Sequence, residues 1–239
     1  MRREEAGNSL NVSSRGHASA TPVSGHCGAL RALGTMMQLR AGKTLFFEAD
    51  PADHVYQVIQ GAACLYKLLP DGRRQVARFC HAGHLMGMTV SDRYPYTADA
   101  LTNLSVTRGR RTHLEARLGG ERALRQMVVD AVSIELSAAQ EQLLLLGRKS
   151  AMERVASFLS VMREQAQLDG GDGWSVTLPM TRIDIADFLG LTHETVCRNM
   201  ALLKAQGIIS TPDPHRVVIH QPQTLEDIAD GDTEQKLCA

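Results

Sequence analysis

Between residues 181 and 206 this chain can fold in very few ways. Thr181-Arg182-Ile183-Asp184 has the spacing of a capping box, a Thr side chain three residues ahead of an acid, and opens a helix running to Leu189. Gly190 stops that helix, Thr192 caps a second one through about Gln206, and Gly207 closes it. Ile185, Ala186, Leu189, Leu191, Val196, Met200 and Leu203 fall on one shared side, with the small Ala186 where two helices would cross closely. Two short helices around a glycine turn make a helix-turn-helix. Downstream, 208–210, the Pro212-Asp213-Pro214 turn and 216–220 read as a two-stranded wing. Upstream, 174–178 alternates like a short strand that Pro179 ends.

With the apolar set inside, His193, Glu194, Cys197 and Arg198 share the outward face of the second helix, at i, i+1, i+4 and i+5. In a DNA major groove Arg198 can donate two hydrogen bonds to guanine O6 and N7, and Glu194 can accept from cytosine N4. A glutamate facing phosphates costs attraction, so its place there is best explained if it reads a base. The plainer reading is an exposed i,i+4 pair worth about 0.2–0.5 kcal/mol. Thr181, Arg182, Thr192 and Thr195, at the two helix starts, are candidates for phosphate contacts that set register without reading sequence. Charge argues for none of this. The chain carries 26 basic and 26 acidic residues, and segment 150–221 has six Lys/Arg against eight Asp/Glu. Non-specific DNA affinity, which comes from phosphate neutralisation, is therefore expected to be modest.

Further upstream, Val129, Val132, Leu136, Ala139, Leu143 and Leu146 are spaced 3-4-3-4-3, a heptad seam. It reads either as a helix packed on its own domain or as a two-fold seam between two chains. Ala131, Ile134, Ala138, Leu144 and Leu145 widen the apolar face, so one flank can meet this chain and the other a second copy. Gly147 interrupts the pattern and Ser150 can cap a fresh helix through Gln165, which marks a hinge. Before the seam, β-prone runs at 44–47, 55–59, 62–69 and 75–79 are punctuated by turns, with Gly61, Gly72 and Gly83 eleven residues apart. Asp71-Gly72 is a hairpin signal. The fold class expected is α+β: an N-terminal jelly-roll-like β-barrel, a long dimerisation helix and a C-terminal winged helix-turn-helix. The boundaries read are a disordered arm at 1–29, a β-roll sensor-type domain at 30–118, the dimerisation helix at 119–149, the DNA-binding domain at 150–221 and a mobile acidic tail at 222–239.

Thr181-Arg182-x-x-Ile185-Ala186-x-x-Leu189-Gly190-Leu191-Thr192-x-Glu194-Thr195-Val196-x-Arg198 resembles the helix-turn-helix signature of the Crp/Fnr transcription regulators. Gly61, Pro70-Asp71-Gly72-Arg73 and Gly83 are similar to their β-roll, and 149–162 to the helix after their dimer helix, so the resemblance covers about 30–220. It implies a homodimer on an inverted repeat of TTGA-type half-sites in double-stranded DNA, with the matching Glu194 and Arg198 reading base pairs. Cys197 before Arg198 departs from the Fnr form, which has Ser there, and is similar to FixK-type members. The resemblance thus implies an activator in a low-oxygen or redox-linked pathway that touches RNA polymerase, with the 71–74 turn as one candidate surface.

Two effectors of the family lack their residues. Its cyclic-nucleotide receptors hold ribose and phosphate with Phe-Gly-Glu and a later Arg-Ser/Thr. Here the first is Met86-Gly87-Met88 and the second region is Tyr96-Thr97-Ala98-Asp99, whose carboxylate repels phosphate. An iron–sulfur cluster needs four cysteines, three of them close together near the N-terminus, where Cys27 stands alone. His81-x-x-His84 beside Cys80 is the densest candidate for haem or metal, and turn histidines are usually solvated. No cofactor and no metal are expected. The alternative is a β-roll that binds an unrecognised small molecule. Cys197 is the candidate redox switch, since a helix start and the neighbouring Arg198 favour thiolate; otherwise it is a small residue permitting close approach to DNA.

Enzyme classes are not supported: there is no glycine-rich phosphate loop, nucleophile elbow or metal-spaced His/Glu set. Five scattered cysteines without a Cys-x-x-Cys pair suggest neither disulfides nor structural zinc. No apolar run approaches membrane length, and no h-region follows Arg2 and Arg3, so the cytoplasm is the expected location.

Overall fold

The structure is a computed structural model that describes residues 34–232. The arm at 1–29, Cys27 and Cys238 lie outside the described residues, as do the last seven positions of the expected tail. Eight strands form the N-terminal lobe: β1 (Gly34–Leu39), β2 (Thr44–Phe46), β3 (His54–Gln60), β4 (Ala63–Leu68), β5 (Arg74–Cys80), β6 (Leu85–Met86), β7 (Thr97–Ala100) and β8 (Leu104–Arg110). They make two four-stranded sheets, ordered β1-β8-β3-β6 and β2-β7-β4-β5, with every pair antiparallel. Strands that alternate between two sheets in this order wind as a jelly roll, so the lobe is roll-like, two facing sheets in place of one closed barrel.

The turn glycines explain the winding. At the 69–73 hairpin the Leu69 amide donates to the Arg73 carbonyl at 2.8 Å, and Gly72 sits at φ +83°. Gly61 has φ +91°, and a β-carbon there would fall 2.3 Å from the Asn103 carbonyl oxygen, so no other residue fits that close approach. The interior is closed by Phe46, whose ring stacks on Tyr94 at 4.1 Å and on Tyr56 at 5.5 Å, together with Val58, Met86 and Val106. Residues 111–118, read as the end of the β domain, form a helix, α1 (Arg111–Leu118).

Helix α2 (Arg122–Arg148) spans 27 residues. Its first turns bury Leu124 and Met127 against Val55 and Leu114 of the roll, and Arg78 of β5 pairs with Glu135. Gly147 stays inside the helix. The break falls at Lys149, whose extended backbone (ψ 140°) leads straight into Ser150. Ser150 and Glu153 then cap each other reciprocally at the start of α3 (Ala151–Leu168). The rest is β9 (Ser175–Thr177), α4 (Arg182–Leu189), α5 (His193–Ala205) and the wing strands β10 (Ile209–Asp213) and β11 (Arg216–Ile219), in a three-stranded sheet ordered β10-β11-β9.

The segment after Gln221, expected to be mobile, corrects that reading through residue 230. It is a helix, α6 (Pro222–Asp230), and it packs on α3 with Leu225, Ile228 and Ala229 buried. Those three positions make one i, i+3, i+4 stripe, which outweighs the acidic composition between them. Glu226 pairs with Arg163 at 2.9 Å, and Lys149 Nζ donates to the Ala229 carbonyl at 2.7 Å. Leu225→Ala is therefore expected to cost about 2–5 kcal/mol of stability. A denaturant melt checks it, and a change within a few tenths of a kcal/mol would mean the helix contributes nothing to the core.

Candidate nucleic-acid interface

The recognition face is assembled by two caps. Thr181 Oγ1 accepts from the Asp184 amide at 3.1 Å, while Asp184 Oδ2 takes the Thr181 amide at 2.8 Å and its hydroxyl at 2.7 Å. Gly190 ends α4 at φ +61°, which turns the chain sharply into the second helix. Thr192 caps α5 by accepting from the Thr195 amide at 3.1 Å, and the two threonine hydroxyls lie 2.8 Å apart. Val196, Met200 and Leu203 of α5 join Ile185, Ala186 and Leu189 of α4 in one buried cluster. The recognition helix is thereby fixed by packing and by hydrogen bonds at its start.

The residues singled out from the sequence come together as follows. His193, Glu194, Cys197 and Arg198 are all exposed on one face of α5. Neither Glu194 nor Arg198 makes an ion pair or a side-chain hydrogen bond among the described residues, so the i,i+4 pair weighed above does not form. Cys197 Sγ lies 3.5 Å from His193 Nε2. Thr181 and Thr192 are exposed at the two helix starts and Thr195 is half-buried. Arg182 is half-buried as well, with its Nη1 enclosed and unpartnered. Burial lowers the pKa of its guanidinium, and this arginine is less free than a surface phosphate contact.

The awkward charge balance has a structural answer. Two acids of the domain, Asp184 and Asp187, face away from the recognition surface. Arg74 of β5 donates to Asp184 Oδ1 at 2.5 Å and to Asp187 Oδ2 at 3.3 Å. Burial alone would raise the Asp184 carboxyl; the hydrogen bonds from Arg74 and Thr181 outweigh it and hold it below the usual carboxylate range. This corrects the reading of 71–74 as one exposed turn: Asp71 and Arg73 are exposed, and Arg74 is engaged inside the molecule. The residues that do this work were missed in the sequence, where the signal was an acidic pair on a helix proposed to face DNA.

The seam also divides. Val129, Val132, Leu136, Ala139 and Leu143 are exposed along α2, with Leu143 at 73%. Leu146 is not free: its Cδ2 lies 3.3 Å from where a β-carbon on Gly190 would be, so it packs on the helix-turn-helix of its own chain. His81 and His84 are half-buried where solvated turn residues were expected. His84 Nδ1 accepts from the His81 amide at 3.1 Å, and burial pushes His84 down to about 3. Among the described residues no three His, Cys, Asp or Glu side chains converge as a metal-ligand set.

Comparison with known proteins agrees with this geometry. Residues 153–228 match the Crp-like helix-turn-helix domain, and residues 36–118 match the cyclic nucleotide-binding domain. The nitrogen fixation regulation protein FixK of Azorhizobium caulinodans is 40% identical over 195 residues, 81% of this chain and 79% of that one. The chain belongs to the Crp/Fnr family. It is a DNA-binding transcription regulator of the FixK-like kind and not an enzyme. The transcriptional activatory protein AadR of Rhodopseudomonas palustris is 43% identical over 74% of each chain. The structure of FixK2 from Bradyrhizobium japonicum superposes with a TM-score of 0.76 at 36% identity, covering 82% of this chain and 97% of that one.

The match at 36–118 raises the question of a cyclic nucleotide, and the residues present do not fit one. Met88 stands where a ribose carboxylate is needed. Asp99 places a carboxylate in β7, where it accepts from Thr44 Oγ1 at 2.7 Å. Tyr94, between β6 and β7, is stacked into the roll, and its hydroxyl donates to the His54 carbonyl at 2.8 Å.

Proposed function

We propose that this Crp/Fnr regulator is a cytoplasmic homodimer that binds an inverted TTGA-type repeat without cyclic AMP and activates transcription in a low-oxygen or redox-linked pathway. The observation that carries the reading is the unpaired Glu194 and Arg198 on the exposed face of a capped, packed helix. Arg198 reads guanine and Glu194 reads cytosine, each base pair being worth about 1–3 kcal/mol of discrimination. His193 and Cys197 line the same groove, and Thr181, Thr192 and Thr195 approach the flanking phosphates with Arg182 behind them. The apolar stripe from Val129 to Leu143 supplies the dimer seam, and a two-fold dimer calls for an inverted repeat. The AadR relative is a transcriptional activatory protein, which supports the sign of regulation, and the FixK relatives are nitrogen fixation regulation proteins. Asp71 and Arg73 are the part of the β4–β5 turn left to touch RNA polymerase. Among the described residues no helix is long and apolar enough to cross a membrane, which accords with a cytoplasmic site.

The test is an anisotropy titration of the purified, ligand-free protein on an inverted TTGA repeat against random duplex. Binding roughly a thousandfold or more tighter than to random DNA is expected. Equal affinity for both duplexes would overturn the effector-free reading. The same titration after peroxide examines Cys197, which is exposed, whereas burial pushes Cys64 up to about 12 and Cys80 to about 11. Oxidation puts a larger polar group against the DNA. Wild type is expected to lose binding while Cys197→Ser retains it; an equal loss in both removes the redox role.

A further inference from the structure

The first helix of the helix-turn-helix is held from outside its own domain, at three points. At its start, Arg74 of β5 reaches Asp184 and Asp187, while its guanidinium sits 4.2 Å over the Tyr66 ring and 3.3 Å from Cys64 Sγ. Along its last turn, Gln75 Nε2 donates to the Asp187 carbonyl at 2.7 Å, and Phe188 packs between Phe79 of the roll, at 5.2 Å, and Phe158 of α3, at 6.0 Å. At its end, Gln142 Nε2 of α2 donates to the Phe188 carbonyl at 2.7 Å. Arg154 bridges the carbonyls of Leu189 and Leu146, each at 3.0 Å.

These contacts are chemically matched. The Asp187 and Phe188 carbonyls lie in the last turn of α4, where a helix leaves its carbonyls without partners, and two glutamine amides fill them. Asp184 is shared: one oxygen faces Arg74, the other holds both the amide and the hydroxyl of Thr181. Arg74 is therefore one side chain away from a residue at the register-setting start of the helix-turn-helix. A guanidinium suits this place because it presents several donors in a rigid fork and stacks on an aromatic ring at the same time, which an ammonium does not.

We infer that Arg74 is a positioning residue for DNA recognition, clamping α4 to the β-roll so that the recognition helix is held in one orientation relative to the roll and α2 with no effector bound. In a two-fold dimer the two recognition helices must meet half-sites about 34–36 Å apart, so a winged domain free to swing about Lys149 binds its repeat less well. The inference rests on the reading that α5 enters the groove, and it adds that the roll fixes where α5 points. The hinge at Lys149 and Ser150 supplies the freedom that the clamp removes.

The test compares full-length wild type, Arg74→Ala, Arg74→Lys and Arg198→Ala. DNA titration on the inverted TTGA repeat and on a repeat with both guanines changed is read beside hydrogen exchange along the chain. Arg74→Ala is expected to weaken binding to both duplexes by about 5- to 150-fold, the span of a typical coupling between sites. It should leave the ratio between the duplexes unchanged, with faster exchange confined to 182–189 and the loop after it. Arg74→Lys should recover part of the affinity. Unchanged affinity in Arg74→Ala overturns the inference, and so does a loss accompanied by faster exchange throughout the chain, which reports a damaged fold. If Arg198→Ala leaves the ratio between duplexes intact, the base-reading assignment fails while the result for Arg74 is still read on its own.

Discussion

Leu136→Glu is expected to leave a folded monomer that no longer binds the full inverted repeat. Leu136 is 59% exposed in the single chain, midway along the stripe that runs from Val129 to Leu143. Burying a leucine side chain contributes about 1.5–3 kcal/mol, and a two-fold seam counts each substitution twice. The two new carboxylates also face each other in an apolar seam, where neither has a partner. Together these terms exceed about 4 kcal/mol, so the dimer dissociation constant should rise by at least about a thousandfold. Sedimentation equilibrium at micromolar concentration measures it directly. A dimer that persists, still bound to DNA, would show that the stripe is not the interface. Because the side chain is already exposed within one chain, the melting temperature of the monomer should change little, which separates lost pairing from lost folding.

Arg198→Ala should remove sequence recognition and spare the fold. The guanidinium has no partner among the described residues, so truncating it breaks nothing inside the molecule. A bidentate contact to guanine is worth about 1–3 kcal/mol, and an inverted repeat presents it twice, for about 2–6 kcal/mol in all. Binding to the inverted TTGA repeat is expected to fall by roughly 30- to 20,000-fold, with random DNA affected far less. The symmetric G-to-A repeat should show almost no further loss in the variant, since substituted protein and substituted base remove the same contact. Additive losses would place Arg198 on the phosphates and leave the guanine to another side chain.

Much of this molecule could be read from local signals. The caps at Ser150, Thr181 and Thr192 and the turn at Gly190 are written in consecutive residues, and they form as expected. The 69–73 hairpin follows from Asp71-Gly72 in the same way. Contacts between residues distant in the chain were not legible. Arg74 and Asp184 lie 110 positions apart, and nothing near either one announces the other. Leu146 fits the heptad as well as Leu143 does, yet it packs on its own chain because α4 reaches it after the break at Lys149. The helix at Pro222–Asp230 was legible in principle: its stripe of Leu225, Ile228 and Ala229 is plain once a surface for it is known. Composition hid it, because three acids in nine residues resemble a solvated tail until the apolar side finds α3.

Cys64, Val76 and Phe79 of the roll belong to the same continuous core as Val155, Phe158 and Leu189 beyond the hinge. Such a core has no seam along which the two lobes could part cleanly, so heating should melt them in one cooperative transition. The winged lobe is accordingly a poor transplant. Grafted onto a foreign roll, it would carry an exposed Phe188 and two uncompensated carboxylates, and its performance would depend on how well the new host covered them.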